Sequence, residues 1–188
     1  MAWRRIIITF AVLLPLIGLL AYGFSRDPRY IVSPLIGHRA PAFTITLYDG
    51  KQLSLNDLRG KAVFVNFWAS WCPPCRAEAI DLEAAWQKLK AQDAVFIGIN
   101  IQDNEQEARA YLKEFNVSYP NGRDLSGRVA VDFGVWGIPE TFFIDPQGRI
   151  TYKHVGALGP TLVAGKLEEA RRGLISAAEG KGTYQSVR

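Results

Sequence analysis

The chain predicts an α/β fold, with a central mixed sheet, helices on both faces and one N-terminal transmembrane helix ahead of it. Three observations lead there. Two runs, "KAVFVNFWA" and "AVFIGINI", are continuously apolar and rich in β-branched and aromatic residues, as strands buried on both faces require. They belong to a series ordered strand, helix, strand, helix, hairpin, helix, the order of a sheet layered between helices. Ahead of that series, the 19 residues from Ile6 to Phe24 carry no charge.

The uncharged run would form a helix roughly 28 Å long, close to the ~30 Å hydrocarbon core of a bilayer. Arg4 and Arg5 precede it, which favours an N-inside orientation and export of everything after Ser25. A cleavable signal peptide is the alternative, with Ala21-Tyr22-Gly23 as a small-x-small site. The run exceeds a usual signal core, so residues 1–25 are expected to remain as a membrane anchor. Either way the domain reaches an extracytoplasmic space that permits disulfides.

Residues 26–36, "RDPRYIVSPLI", hold two prolines and no helical period, and read as a tether. "APAFTITLYDGKQLSL" reads as a hairpin turning at Asp49-Gly50. The first buried strand follows, then the cysteines, then "RAEAIDLEAAWQKLKAQ". In that segment Ile80, Leu82, Trp86 and Leu89 fall on no single seam, but the composition is helical. After the second buried strand, "DNEQEARAYLKEFNV" is a helix capped by Asp103 or Asn104. "SGRVAVDFGV" is a short helix, and "ETFFIDPQGRITYKHVG" is a hairpin turning between Asp145 and Gly148. "TLVAGKLEEARRGLISAAE" closes the domain, expected over residues 37–178, with 179–188 as a flexible tail.

A chain of 188 residues fits one domain plus extras, and its 48% hydrophobic content can fill a core. The net charge is +4. Basic residues cluster only at the N-terminus and do not alternate with aromatics, so nucleic acid is set aside as a partner. The two cysteines cannot build a disulfide framework for a domain of this size and are read for their chemistry.

Both lie in "VNFWASWCPPCRAEAI", as Cys72 and Cys75. A strand running into Cys72 and a helix opening at Pro73 put the first sulfur at a helix N-terminus. Unpaired N–H groups and the positive end of the helix dipole stabilise a thiolate there. Proline suits the first helical positions because its missing N–H would be unpaired anyway. The three-residue offset brings Cys75 within bonding reach, so Cys72 is placed to attack and Cys75 to resolve. Two other readings stay open. Metal binding would call on His38 and His154, neither in ligand spacing, and a structural disulfide would close a very small loop. Haem attachment is excluded, because Arg76 stands where a His is needed.

The combination of "WCPPC" with a later "GIPET" resembles the thioredoxin fold. That resemblance implies a cis peptide at Ile138-Pro139 opposite the cysteines, with the Ile138 backbone available for β-pairing with a substrate strand. The match extends further. "GHRAPAFTITLYDGKQLSLNDLRGK", "VNFWASWCPPCRAE" and "FGVWGIPETFFIDPQGRITYKHVG" resemble the membrane-anchored periplasmic reductases of cytochrome c maturation, called CcmG or DsbE. The related ResA and TlpA proteins share most of these features. The resemblance spans about Gly37 to Ala178 and implies a thioredoxin-like fold with an N-terminal hairpin extension. It also implies a central insertion, for which the 64 positions from Cys75 to Pro139 leave room.

Within this resemblance Glu78 and Glu140 match the family's acids near the cysteines and after the cis-proline. Each could carry a proton during exchange, although a carboxylate also opposes thiolate formation. Trp71 and Trp136 would contact substrate together with Ile138 and Pro139, while Trp68, Asn66 and His154 would be structural. The implied enzyme is a thiol-disulfide oxidoreductase with no cofactor beyond a redox-active Cys72–Cys75 disulfide and no metal. The implied partners are apocytochrome c or another exported protein disulfide, and a membrane electron donor of the DsbD or CcdA kind. Two alternatives accompany it. One is a TlpA-like metal-handling or copper-chaperone role. The other is a peroxidase, because the hairpin also resembles peroxiredoxins, but Ala69 stands where those carry Thr or Ser.

Overall fold

The computed structural model describes residues 2–25, 33–176 and 184–187. The chain divides into two compact units, Met1–Ile31 and Val32–Arg188. Among the described residues the first holds one helix, α1 (Ala2–Ser25), which continues through Pro15. Its Trp3–Gly23 segment has a mean hydropathy of 2.4 and is long and apolar enough to cross a membrane. Of the expected tether, residues 26–32 lie outside the described residues.

The second unit is the α/β domain. In chain order its strands are β1 (Thr44–Leu47), β2 (Gln52–Ser54), β3 (Ala62–Trp68), β4 (Ala94–Asn100), β5 (Asn121–Arg123), β6 (Gly137–Ile138), β7 (Glu140–Ile144), β8 (Ile150–Val155) and β9 (Gln185–Ser186). The helices are α2 (Pro73–Leu89), α3 (Glu105–Glu114), α4 (Arg128–Asp132) and α5 (Pro160–Arg171). Seven strands form one mixed sheet in the order β2-β1-β5-β4-β3-β7-β8, and β6 pairs with β9 apart from it. β3 runs parallel to β4 and antiparallel to β7.

All seven residues of β3 are buried, and strand periodicity sends alternate ones to opposite faces. Val63, Val65 and Phe67 join one apolar cluster with Ile97, Ile99 and Phe142. Ala62 and Phe64 join the other with Phe96 and Phe143, under Leu82 and Ala85 of α2 and Val163 and Leu167 of α5. Phe64 and Phe96 stack across the parallel pair with centroids 4.3 Å apart. A strand with both faces covered needs apolar residues at every position, which is why β3 and β4 show no alternation.

The hairpin turns where Asp49-Gly50 places it, with Gly50 at φ +87°, a conformation glycine enters without a Cβ penalty. Several boundaries differ from expectation. The last helix ends at Arg171 and not at 179, because Gly173 at φ +68° stops it and the chain turns away to let Ser176 N–H bond the Thr151 carbonyl at 2.9 Å. Residues 33–36, expected as tether, fold against the domain: Ile36 bridges to Ile150 and Gly37 N–H donates to the Ile150 carbonyl at 2.8 Å. β5 is a strand where the sequence pattern indicates none. Residues 177–178 of the expected domain and 179–183 and 188 of the expected tail lie outside the described residues, and Gln185–Ser186 pair with Gly137–Ile138.

Candidate active site

β3 delivers the chain to a tight turn, Ala69–Trp71, and α2 begins directly after Cys72. Cys72 is the N-cap, in extended conformation, with the prolines at the first helical positions. Since Pro73 and Pro74 bring no N–H, the first free amide of the helix is that of Cys75, which donates to Cys72 Sγ at 3.2 Å. The sulfur thus occupies the place a serine or aspartate oxygen takes in an ordinary cap. Cys72 and Cys75 are disulfide-bonded with Cα atoms 5.3 Å apart. Cys72 Sγ lies 3.6 Å from the carbonyl oxygen of Ile138, and the Ile138-Pro139 peptide is cis.

One turn along α2 from Cys75, Glu78 is buried. Its Oε1 accepts from Asn66 Nδ2 at 3.0 Å and its Oε2 from Leu158 N–H at 2.9 Å. Burial pushes its carboxyl up to about 8; the two hydrogen bonds pull the other way and recover only part of that shift. Asn66 also donates to Thr141 Oγ1 at 3.1 Å and so ties Glu78 to β7. Tyr111 of α3 donates its hydroxyl to the Cys75 carbonyl at 2.9 Å, and its ring stacks on Trp68.

Glu140 is equally buried but committed elsewhere. Its Oε1 accepts from the N–H groups of Trp136 and Gly137, both at 3.0 Å, and its Oε2 faces Lys153 Nζ at 2.7 Å. Burial raises its carboxyl from the ordinary range, against the pull of Lys153. The geometry makes Glu140 the residue that pins the loop entering the cis-proline. Lys153, which nothing in the local sequence marks for the site, is the charge that permits this burial.

The tryptophans divide. Trp68 is buried and donates to Asn121 Oδ1 at 2.9 Å. Trp71 is 45% exposed beside Cys72, with its indole N–H on the Gln102 carbonyl at 2.9 Å. Trp136 is half-buried and meets the ring of Tyr184 edge-on at 4.7 Å. A second group was not readable from the sequence. Asp103 accepts from Ser70 N–H at 2.6 Å and from Ser70 Oγ at 2.8 Å, and also from Asn100 Nδ2 at 2.7 Å. It clamps the turn ahead of Cys72, while Asn104 caps α3 by accepting from Gln106 N–H. Either residue fits a cap by type, and only the fold separates their tasks. Among the described residues, no group of three His, Cys, Asp or Glu side chains could hold a metal ion.

Two cysteines that bond each other at a helix N-terminus exchange disulfides, and on this sheet they make the molecule a thioredoxin-like thiol:disulfide oxidoreductase. Comparison with known proteins gives the same class. The model of the AhpC/TSA family matches residues 36–153. The thiol:disulfide interchange protein DsbE of Allochromatium vinosum is 37% identical over 169 residues, covering 88% of this chain and 91% of that one. DsbE of Escherichia coli K12 is 37% identical over 166 residues, 84% of this chain and 88% of that one. ResA, a thiol-disulfide oxidoreductase of Bacillus cereus, is 28% identical over 170 residues, 88% and 96%. A crystal structure of a thioredoxin-family thiol:disulfide interchange protein from Chlorobium tepidum superposes with a TM-score of 0.66 at 30% identity, over 70% of this chain and 94% of that one. The chain belongs to the AhpC/TSA family and, within it, to the DsbE-type thiol:disulfide interchange proteins.

Proposed function

We propose that this protein is a membrane-anchored reductant of disulfides in exported proteins, with the Cys-x-x-Cys-His cysteines of apocytochrome c as its substrate before haem attachment. One observation carries the reading: Cys72 Sγ sits at the start of α2, receives an amide N–H, and faces the Ile138 carbonyl at the edge where a substrate strand can pair. DsbE-type relatives and the apolar α1 support the placement in the inner membrane with the domain in the periplasm.

In the forward reaction the Cys72 thiolate attacks one sulfur of the substrate disulfide, forming a mixed disulfide and releasing the other as a thiolate. Cys75 then attacks Cys72 Sγ, the mixed disulfide breaks, and the substrate leaves with two thiols while the enzyme keeps the new disulfide. Glu78 as carboxylate takes the Cys75 proton as that thiol becomes the nucleophile, and its acidity near neutrality suits the transfer. Glu140 positions the Trp136–Ile138 backbone. Two electrons must then come from a membrane donor, because the surrounding space is oxidising.

Trapping tests this. Cys75→Ser is expected to accumulate a Cys72-linked mixed disulfide with an exported cytochrome on non-reducing gels, and Cys72→Ser to abolish it. Thiol labelling in cells is expected to find the wild-type pair reduced. A pair held oxidised, or a trap that captures no cytochrome, defeats the assignment.

A further inference from the structure

Cys72 and Ile138 are completely buried, yet attack on a protein disulfide requires that an incoming strand reach both. The strand already paired with that edge is β9. Gln185 stands opposite Ile138 and Ser186 opposite Gly137 in antiparallel register. The Val187 N–H donates to the Trp136 carbonyl at 3.3 Å, and the Tyr184 ring meets Trp136 edge-on at 4.7 Å. Val187 also packs against the apolar cluster that contains both cysteines. The same register carried one step further sets Tyr184 against Pro139.

We propose that Tyr184–Val187 is an internal occupant of the substrate edge: the chain's own C-terminal strand fills the place of an incoming disulfide-bearing strand and must leave before exchange begins. This rests on the reading of Ile138 as the pairing edge. The segment suits the task chemically. Tyr and Val favour extended backbone, none of the four residues is charged, and none is a cysteine, so the strand can lie along this edge without entering disulfide exchange. Its hold is weak by construction. It consists of two opposed residue pairs, one long amide–carbonyl bond and one ring contact. Because the strand belongs to the same chain, it competes intramolecularly and needs no high affinity to keep the contact partly closed. Substrate affinity is then lowered by the fraction of molecules that are open.

The test compares the reduced full chain, its Val187→Pro variant and a chain ending at Thr183. Val187→Pro removes the N–H that bonds Trp136. The substrate is an extended peptide bearing a disulfide. Both variants are expected to react about two- to tenfold faster than wild type through a lower KM, as release from partial occupancy requires. A synthetic Tyr-Gln-Ser-Val peptide is expected to restore the slower rate in the shortened chain by competition. Unchanged rates in both variants, or slower rates with a lowered melting temperature, overturn the proposal. A substrate peptide N-methylated at the backbone nitrogen facing Ile138 separates it from the reading beneath. If N-methylation slows the shortened chain while loss of the tail changes nothing, the pairing edge stands and the internal occupant falls. If N-methylation has no effect, both fall.

Discussion

Glu78 shows what burial does to a residue whose role its type leaves open. At sequence level a glutamate one turn into a helix can be a solvated acid favoured by the dipole. The fold instead encloses it against β3 and gives its oxygens two donors, Asn66 and the Leu158 amide. With its carboxyl pushed to about 8, the folded protein keeps a proton that the unfolded chain has lost above its ordinary 4.5. Stability therefore falls as pH rises through that window, toward a loss of roughly 5 kcal/mol at its upper end. Glu78→Gln removes this slope. Its amide turns a donor toward Asn66, a pH-independent cost of about 1 kcal/mol. Its melting temperature is expected to decline less than that of wild type between pH 5 and 8, the gap widening with pH. Parallel melting curves at every pH would contradict the assignment. The exchange rate of the same variant should lose the ionisation near pH 8.

At the scale of elements, the strands that composition reveals are those buried on both faces, β3 and β4. β5 escaped because "PNGR" carries turn residues, and Gly122 is there for a different reason. A Cβ at that position would stand 2.7 Å from the Thr46 carbonyl, so the glycine is what lets β5 approach β1. The buried face of α2 was equally hard to read. It consists of Cys75, Glu78, Ala79, Leu82 and Ala85, a stripe of mostly small or charged side chains, while Ile80 is 66% exposed. Gly98 in β4 makes the same point by energy. A side chain there would run into Asn121 and come within 2.9 Å of Trp68 Nε1, breaking the bond between them. Gly98→Ala is expected to cost about 2–4 kcal/mol through overpacking and a lost buried hydrogen bond. Denaturant midpoints check this, and a variant as stable as wild type would show that the packing yields.

For the whole molecule, the first prediction concerns location. If α1 is an uncleaved anchor, the full chain is expected to stay with membranes through carbonate washing. A chain lacking residues 2–25 should be soluble and keep its exchange rate. Recovery of a shortened, soluble native protein would instead mark the segment as a cleaved signal.

Sequence alone determined the α/β class, the apolar N-terminal helix and the exchanging pair, since each is written in adjacent residues: an uninterrupted apolar run, a strand entering a helix, two sulfurs one turn apart. Tertiary structure decided everything that depends on distant segments meeting. It joined Asp103 to Ser70, committed Glu140 to Lys153 and the amides of Trp136 and Gly137, and raised Glu78 by enclosing it. It also laid residues 184–187 along Trp136–Ile138. Local pattern records which backbone a segment prefers, whereas burial, charge pairing and strand partners arise only once the chain has closed on itself.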